Sequence, residues 1–201
     1  MNRIQLIILC LCFFQATQAQ MSVAVSAGLN TTNLQSPNST NFEYKQLQNY
    51  YMGIAPVIGK DKVRLRLGLQ GAYRGSTIVD NTTSTSIRGF YADFLPEVEI
   101  RPIKLIGIAV GGTVGLNLQE QVRGGSEWQA PVTDIFNTAD YGFRAVGRVY
   151  LWRLSFELAY NHGLGPAYEY TLTDQNGESI GTEKAYFRAY QVGIAYRFGK
   201  N

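Results

Sequence analysis

The chain has 201 residues, 45% of them hydrophobic and only 16% charged, with 21 Gly, 13 Tyr and 10 Phe. That length suits one domain, and no apolar run after the first 20 positions approaches the roughly 20 residues a helix needs to cross a bilayer, which excludes helical spanning. A formal net charge of +3, with basic residues spread rather than clustered, leaves no footprint for nucleic acid.

The N-terminus reads as a secretory signal peptide over residues 1–19, leaving 20–201 as the mature domain. Asn2 and Arg3 form a short positive region, Ile4 to Phe14 an apolar run, and Thr17-Gln18-Ala19 a small-residue cleavage site. Both cysteines, Cys10 and Cys12, fall inside this segment, so the mature chain is expected to carry no disulfide, thiolate metal site or cysteine nucleophile. Leu9 and Leu11 precede them where a lipidation site normally carries a small residue.

Beyond the leader, the dominant signal is alternation with period two, which places one residue set on each face of a strand. Eight segments show it: 21–30, 48–58, 63–74, 89–101, 105–118, 141–151, 154–161 and 185–198. In the third, Val63, Leu65, Leu67, Leu69, Gly71 and Tyr73 share one face, while Arg64, Arg66, Gly68, Gln70, Ala72 and Arg74 share the other. Wrapped as a helix, those arginines would scatter round the cylinder. The second segment is apolar in both parities, and Tyr50, Met52, Ile54, Pro56 and Ile58 are assigned outward. Pro56 and Pro96 each lack a ladder donor, so a bulge at one of them, or a local break near the turn rim, is expected.

Connections alternate between long, polar ones (31–47, 76–88, 119–140, 162–184) and tight ones (59–62, 102–104, 152–153). Long loops at one rim and short turns at the other are the pattern of an outer-membrane barrel. The fold class predicted is therefore all-β: a closed antiparallel up-and-down transmembrane β-barrel of about eight strands, with apolar residues facing lipid. Closure satisfies the backbone groups that an open edge would leave unpaired in hydrocarbon. Aromatics gather at strand ends, Tyr73, Phe90, Tyr141, Phe143, Tyr160, Tyr186 and Tyr190 toward the loop rim and Tyr196 and Phe198 toward the turn rim, where headgroups would lie. The competing arrangement is a soluble lipocalin-like barrel, which inverts the two faces.

Register arithmetic then predicts a lumen site. Pairing Val63 with Ile100 and Tyr73 with Phe90 sets Arg64 opposite Glu99 and Arg66 opposite Glu97. The tight turn at Trp152 and Arg153 sets Arg148 opposite Glu157, and Arg144 also points inward. Opposed side chains stand about 4.5 to 5.5 Å apart at Cβ. The inward set Gly107, Ala109, Gly111, Thr113 and Gly115 is small, leaving room for long arginines. A structural ionic plug of Arg64, Arg66, Glu97, Glu99, Arg144, Arg148 and Glu157 is expected.

Several segments also resemble the PorT-like outer-membrane β-barrel family of the Bacteroidota. They are AGLN (Ala27 to Asn30), GAYRG (Gly71 to Gly75), DFLPEVEIRP (Asp93 to Pro102), GIAVGGTVGL (Gly107 to Leu116), ELAYNHGLG (Glu157 to Gly165) and GIAYRFG (Gly193 to Gly199). They are architectural motifs and run over nearly the whole mature chain. The resemblance implies an outer-membrane barrel; the family's namesake is implicated in secretion and gliding machinery, whereas most relatives have no assigned activity. One departure is the Gly199-Lys200-Asn201 tail, where such barrels often end on an aromatic residue.

The expected role is a non-enzymatic, structural or partner-binding envelope component of the bacterial outer membrane. Its partners would be membrane lipid and, through the long loops, other envelope or secretion proteins. No cofactor is expected. The alternatives are a rim enzyme acting on lipid or peptide, for which His162 is the sole histidine and has no Ser or Asp beside it in sequence, and a very narrow pore. Eight strands leave a lumen that side chains nearly fill.

Overall fold

The computed structural model describes residues 21–36, 43–60, 62–80, 83–133, 135–173 and 179–199. The predicted signal peptide lies outside them. Nine strands follow in chain order: β1 (Met21–Gln35), β2 (Glu43–Lys60), β3 (Val63–Asp80), β4 (Thr83–Ile103), β5 (Ile106–Arg123), β6 (Ala139–Leu151), β7 (Leu154–Gly163), β8 (Tyr168–Thr173) and β9 (Ser179–Phe198).

Eight of these form an antiparallel ring, each paired with its neighbour from β1 through β7 and then β9, and β1 closes on β9. The ninth, β8, is absent from the predicted set. It pairs only with residues 179–185 of β9 and so lengthens one hairpin at the loop rim without entering the ring.

Alternation decides the faces. Leu69, Val110 and Leu158 are each 58–62% exposed on the outside, whereas Arg66, Arg144, Arg148, Glu97, Glu99 and Glu157 are buried inside. A polar interior with an apolar exterior rules out the inverted, lipocalin-like arrangement. In β2, Tyr50, Met52 and Ile54 face out while Tyr51, Ala55 and Val57 are buried. Rings at the loop rim touch across neighbouring strands: Tyr50 on Tyr73, Tyr73 on Phe90 and Tyr160 on Tyr190 lie 5.0–5.7 Å apart between centroids.

Two expectations need correction. The connection 76–88 is not a loop: its ladder continues to Asp80 opposite Thr83. β-Branched Thr is a good strand former though polar, and no lipid demands an apolar face here, so polarity alone does not mark the strand's end. Nor does either proline make a bulge; each leaves a local break in one ladder, the other form expected. Pairing of β2 with β3 keeps one register from Ile54–Leu69 to Val57–Arg66, across Pro56. Likewise β4 and β5 keep one from Phe94–Val114 to Glu97–Gly111, across Pro96. Each proline forgoes local bonding on one side only. The register shifts fall elsewhere, between Gln46 and Tyr51 in β2 and at Phe90/Tyr91 and Ile100/Ile103 in β4.

Candidate functional site

The lumen holds three layers. In the middle, Arg148 of β6 donates through Nε to Glu157 at 2.9 Å, through Nη1 to Glu99 at 3.0 Å and through Nη2 to Glu97 at 2.5 Å. Glu97 also receives Arg144 Nε at 2.8 Å, and Arg66 Nη1 lies 3.2 Å from Glu157. Arg144 Nη1 donates to Asn161 at 2.9 Å and to Gln191 at 2.6 Å, and the Tyr150 hydroxyl donates to Glu99 at 2.6 Å. Three guanidiniums meet three carboxylates, so the layer is neutral. The cavity beside it has only about 20 Å³, room for a single water at most.

Six of the seven residues read from the sequence are thus joined by ion pairs, and Arg64 stands at the edge of the layer, beside Glu99 and Tyr150. It does face Glu99 in register, but no ion pair joins them among the described residues. Glu99 is taken by Arg148 and Tyr150 from across the lumen, and Arg64 lies at the turn-rim mouth instead. Tyr150, Asn161 and Gln191 are members that charge-pair reasoning missed, because they contribute neutral hydrogen bonds.

The small inward residues of β5 make the space. A methyl group on Gly107 would stand 3.0 Å from the Tyr150 ring and 3.2 Å from the Glu99 carboxyl carbon. One on Gly115 would meet Asp93 Oδ1 at 2.4 Å. Gly115 admits a second, smaller ion cluster that sequence reasoning also passed over: Arg74 bridges Asp93 and Asp140, both at 2.6 Å, beneath the Tyr91 ring.

Toward the loop rim the lumen turns apolar. Phe136, Tyr91, Phe187, Leu34 and Ile87 form a buried cluster with Ala167 and Ala185. Phe136 is carried there by a connection between strands. The Glu120 carboxylate accepts the backbone N–H groups of Ile135 and Phe136 at 2.7 and 2.9 Å and the Asn117 amide at 2.5 Å. The Asn137 and Ala167 backbone N–H groups then donate to Ala167 and Ala185, both at 2.8 Å.

At the turn rim the lumen opens into a cavity of about 890 Å³. Its wall includes Lys62, Arg64, Arg101, Lys104 and Arg197 together with Tyr150 and Trp152. His162, at the opposite rim, stacks on Phe143 at 4.7 Å, and its Nδ1 lies 3.1 Å from the Tyr160 hydroxyl. Among the described residues no group of three His, Cys, Asp or Glu is placed to hold a metal ion.

No family model matches the chain, and no curated protein does. Solved structures do. Neisserial surface protein A superimposes with a TM-score of 0.54 at 10% identity, covering 88% of this chain and 97% of that one. The chain has the fold of a small outer-membrane β-barrel. Ail, the attachment invasion locus protein of Yersinia pestis, aligns more loosely, with a TM-score of 0.46 at 8% identity over 89% of this chain and 99% of its own. The outer-membrane protease OmpT of Escherichia coli reaches 0.35 at 11% identity, over 90% and 96%.

Proposed function

We propose that the chain is an integral, non-enzymatic protein of the bacterial outer membrane that works through its rims, as a structural or partner-binding envelope component. The observation carrying this reading is that the lumen is filled twice, by the neutral ion layer around Arg148 and by the apolar cluster around Phe136. A barrel filled in this way has little passage to offer, and its apolar exterior suits lipid. What remains available is rim surface. At the loop rim Arg88 lies over Tyr73 at 4.5 Å and over Trp128 at 3.9 Å, and Arg123 covers Trp128 at 4.6 Å. This ordered aromatic–cationic patch has the composition of binding hot spots.

The sequence segments from AGLN to GIAYRFG support the finer assignment, a PorT-like barrel with a place in secretion machinery. Catalysis at the loop rim has less behind it, because His162 is engaged by two aromatic rings and its strand neighbour is Arg188.

The test is affinity capture of the tagged protein from native membranes with quantitative mass spectrometry, beside single-channel recording of purified protein in planar bilayers. Reproducible envelope partners lost on Trp128→Ala, with no steady current, are the expected result. Recovery of the protein alone, a stable large conductance, or a hydrolytic activity abolished by His162→Ala would overturn the reading.

A further inference from the structure

We propose that the outer face of the barrel, where β1, β9 and β7 approach the loop rim, binds the sugar headgroup of a glycolipid. The ladders fix the level of this site. On the lipid-facing side the three strands stand in register row by row: Ala27 with Ile194 and Phe156, Leu29 with Val192 and Leu158, Thr31 with Tyr190 and Tyr160, and Asn33 with Arg188 and His162. The first two rows are wholly apolar, and Leu29, Val192 and Leu158 are exposed, as residues facing acyl chains are. Over the next two rows the same face turns aromatic and then polar. That is the order of chemistries met on passing from acyl chain to headgroup.

At that crossing the surface is hollowed. A cavity of about 200 Å³, room for one sugar ring, joins Tyr160 and Tyr190 to the amides of Asn33, Gln35 and Gln46 and to the Arg188 guanidinium. The two rings lie 5.0 Å apart between centroids and are tilted by 38°, and their negative π faces are what the C–H side of a pyranose stacks on. Carboxamides supply donors and acceptors together, and a guanidinium supplies a fork of donors, which is the chemistry that grips neighbouring hydroxyls. Two of these groups are already held. Ser76 Oγ donates to Asn33 Oδ1 at 3.0 Å, and Arg188 Nη1 donates to the Gly163 and Phe187 carbonyls at 2.8 and 2.9 Å. Groups ordered beforehand lose less freedom on binding. A wall of two aromatic rings and three neutral amides fits hydroxyls better than it fits a phosphate. A glycolipid uses the whole surface, with its sugar in the cavity and its acyl chains along Leu29, Val192 and Leu158 below. A free saccharide would leave that apolar strip without a role. The lipid source rests on the outer-membrane reading above; sugar recognition does not.

The experiment uses protein folded in a tetraoxyethylene detergent, which carries no sugar. It is titrated with octyl glucoside, octyl galactoside or octyl N-acetylglucosaminide below their micellar concentrations, with the matching methyl glycosides, and with octyl phosphate. Native mass spectrometry counts bound glycoside, and saturation-transfer NMR reads its affinity. We expect one octyl glycoside per barrel for at least one of the three headgroups, held more tightly than octyl phosphate and about tenfold more tightly than its methyl counterpart. Tyr190→Leu, which removes one ring face, should weaken binding about tenfold. Gln35→Ala with Gln46→Ala, on two exposed side chains, should weaken it by about the same factor through lost hydrogen bonds and keeps the test alive if Tyr190→Leu fails to fold. Tyr141→Leu, on an exposed ring of the same rim on β6, should change nothing. Binding of no octyl glycoside, tighter binding of octyl phosphate, an unchanged affinity in either folded variant, or an equal loss in Tyr141→Leu overturns the site. Methyl glycosides that bind as tightly as their octyl counterparts overturn the lipid source in favour of a soluble saccharide. Insertion of the same preparation into vesicles is scored separately; its failure would sink the membrane reading, while the methyl glycosides still test sugar recognition.

Discussion

The barrel is filled by two plugs of opposite chemistry, and they are held by different parts of the chain. Around Arg148 every charged member of the ion layer stands on a ring strand, so its geometry is fixed by the same ladders that close the barrel. The cluster around Phe136 instead depends on a connecting segment folded inward and tied by the Glu120 carboxylate. The first should therefore fail only when the barrel fails. The second can open by itself, as segments with few strand contacts do.

The largest effect that would break this distinction is expected at Arg148. Arg148→Met takes from Glu99 its ion pair, leaving the Tyr150 hydroxyl as its hydrogen-bond donor among the described residues, and strips one guanidinium each from Glu97 and Glu157. Uncompensated buried charge of this kind costs about 3–5 kcal/mol. Urea unfolding followed by gel mobility in lipid vesicles should show the whole barrel destabilised. Adding Glu99→Gln to that variant should recover part of the loss, because the residues are coupled. A variant matching the parent would mean that water already screens the layer.

Phe136→Ala should cost about 3 kcal/mol, the order found for emptying a buried aromatic site, but locally. Limited proteolysis should cut within residues 124–138 while the urea midpoint moves less than for Arg148→Met. Equal global destabilisation by both would erase the difference between the plugs. Glu120→Gln should act in the same place and more weakly, by about 1.5–3 kcal/mol, since it removes the charge from three hydrogen bonds and leaves the backbone ladders of the ring intact.

That contrast also explains what could be read from the sequence. The ion layer was legible because β3 and β4 alternate without ambiguity, and one register sum places Arg66 opposite Glu97. The same sum places Gln70 opposite Asp93, so part of the Arg74 cluster was within reach. Contacts across the lumen were not. Arg148 meets Glu97 and Glu99 from strands that are not neighbours, and only the barrel's cross-section brings them together. For that reason the register sum alone shows Glu99 facing Arg64 and does not show that Arg148 also holds it. Phe136 had no readable signal, because its burial follows from a connection's path and not from period-two alternation.

The smallest expected effect tests how the ion layer's register is set. Trp152 has φ 60°, and among the described non-glycine residues it alone has a positive φ. It is the first residue of the two-residue turn joining β6 to β7, where positive φ at that position alone matches a type II′ turn and favours glycine. An L side chain there costs roughly 1 kcal/mol. Trp152→Ala and Trp152→Gly remove the same exposed ring, so their difference isolates the backbone. The W152G variant should be more stable than W152A by about 1 kcal/mol in urea unfolding. Because this turn sets Leu151 opposite Leu154 and hence Arg148 opposite Glu157, the gain should appear at the global transition and leave cleavage within 124–138 unchanged. Equal stability of the two variants would mean that the long β6–β7 ladder, and not its turn, fixes the register of the ion layer.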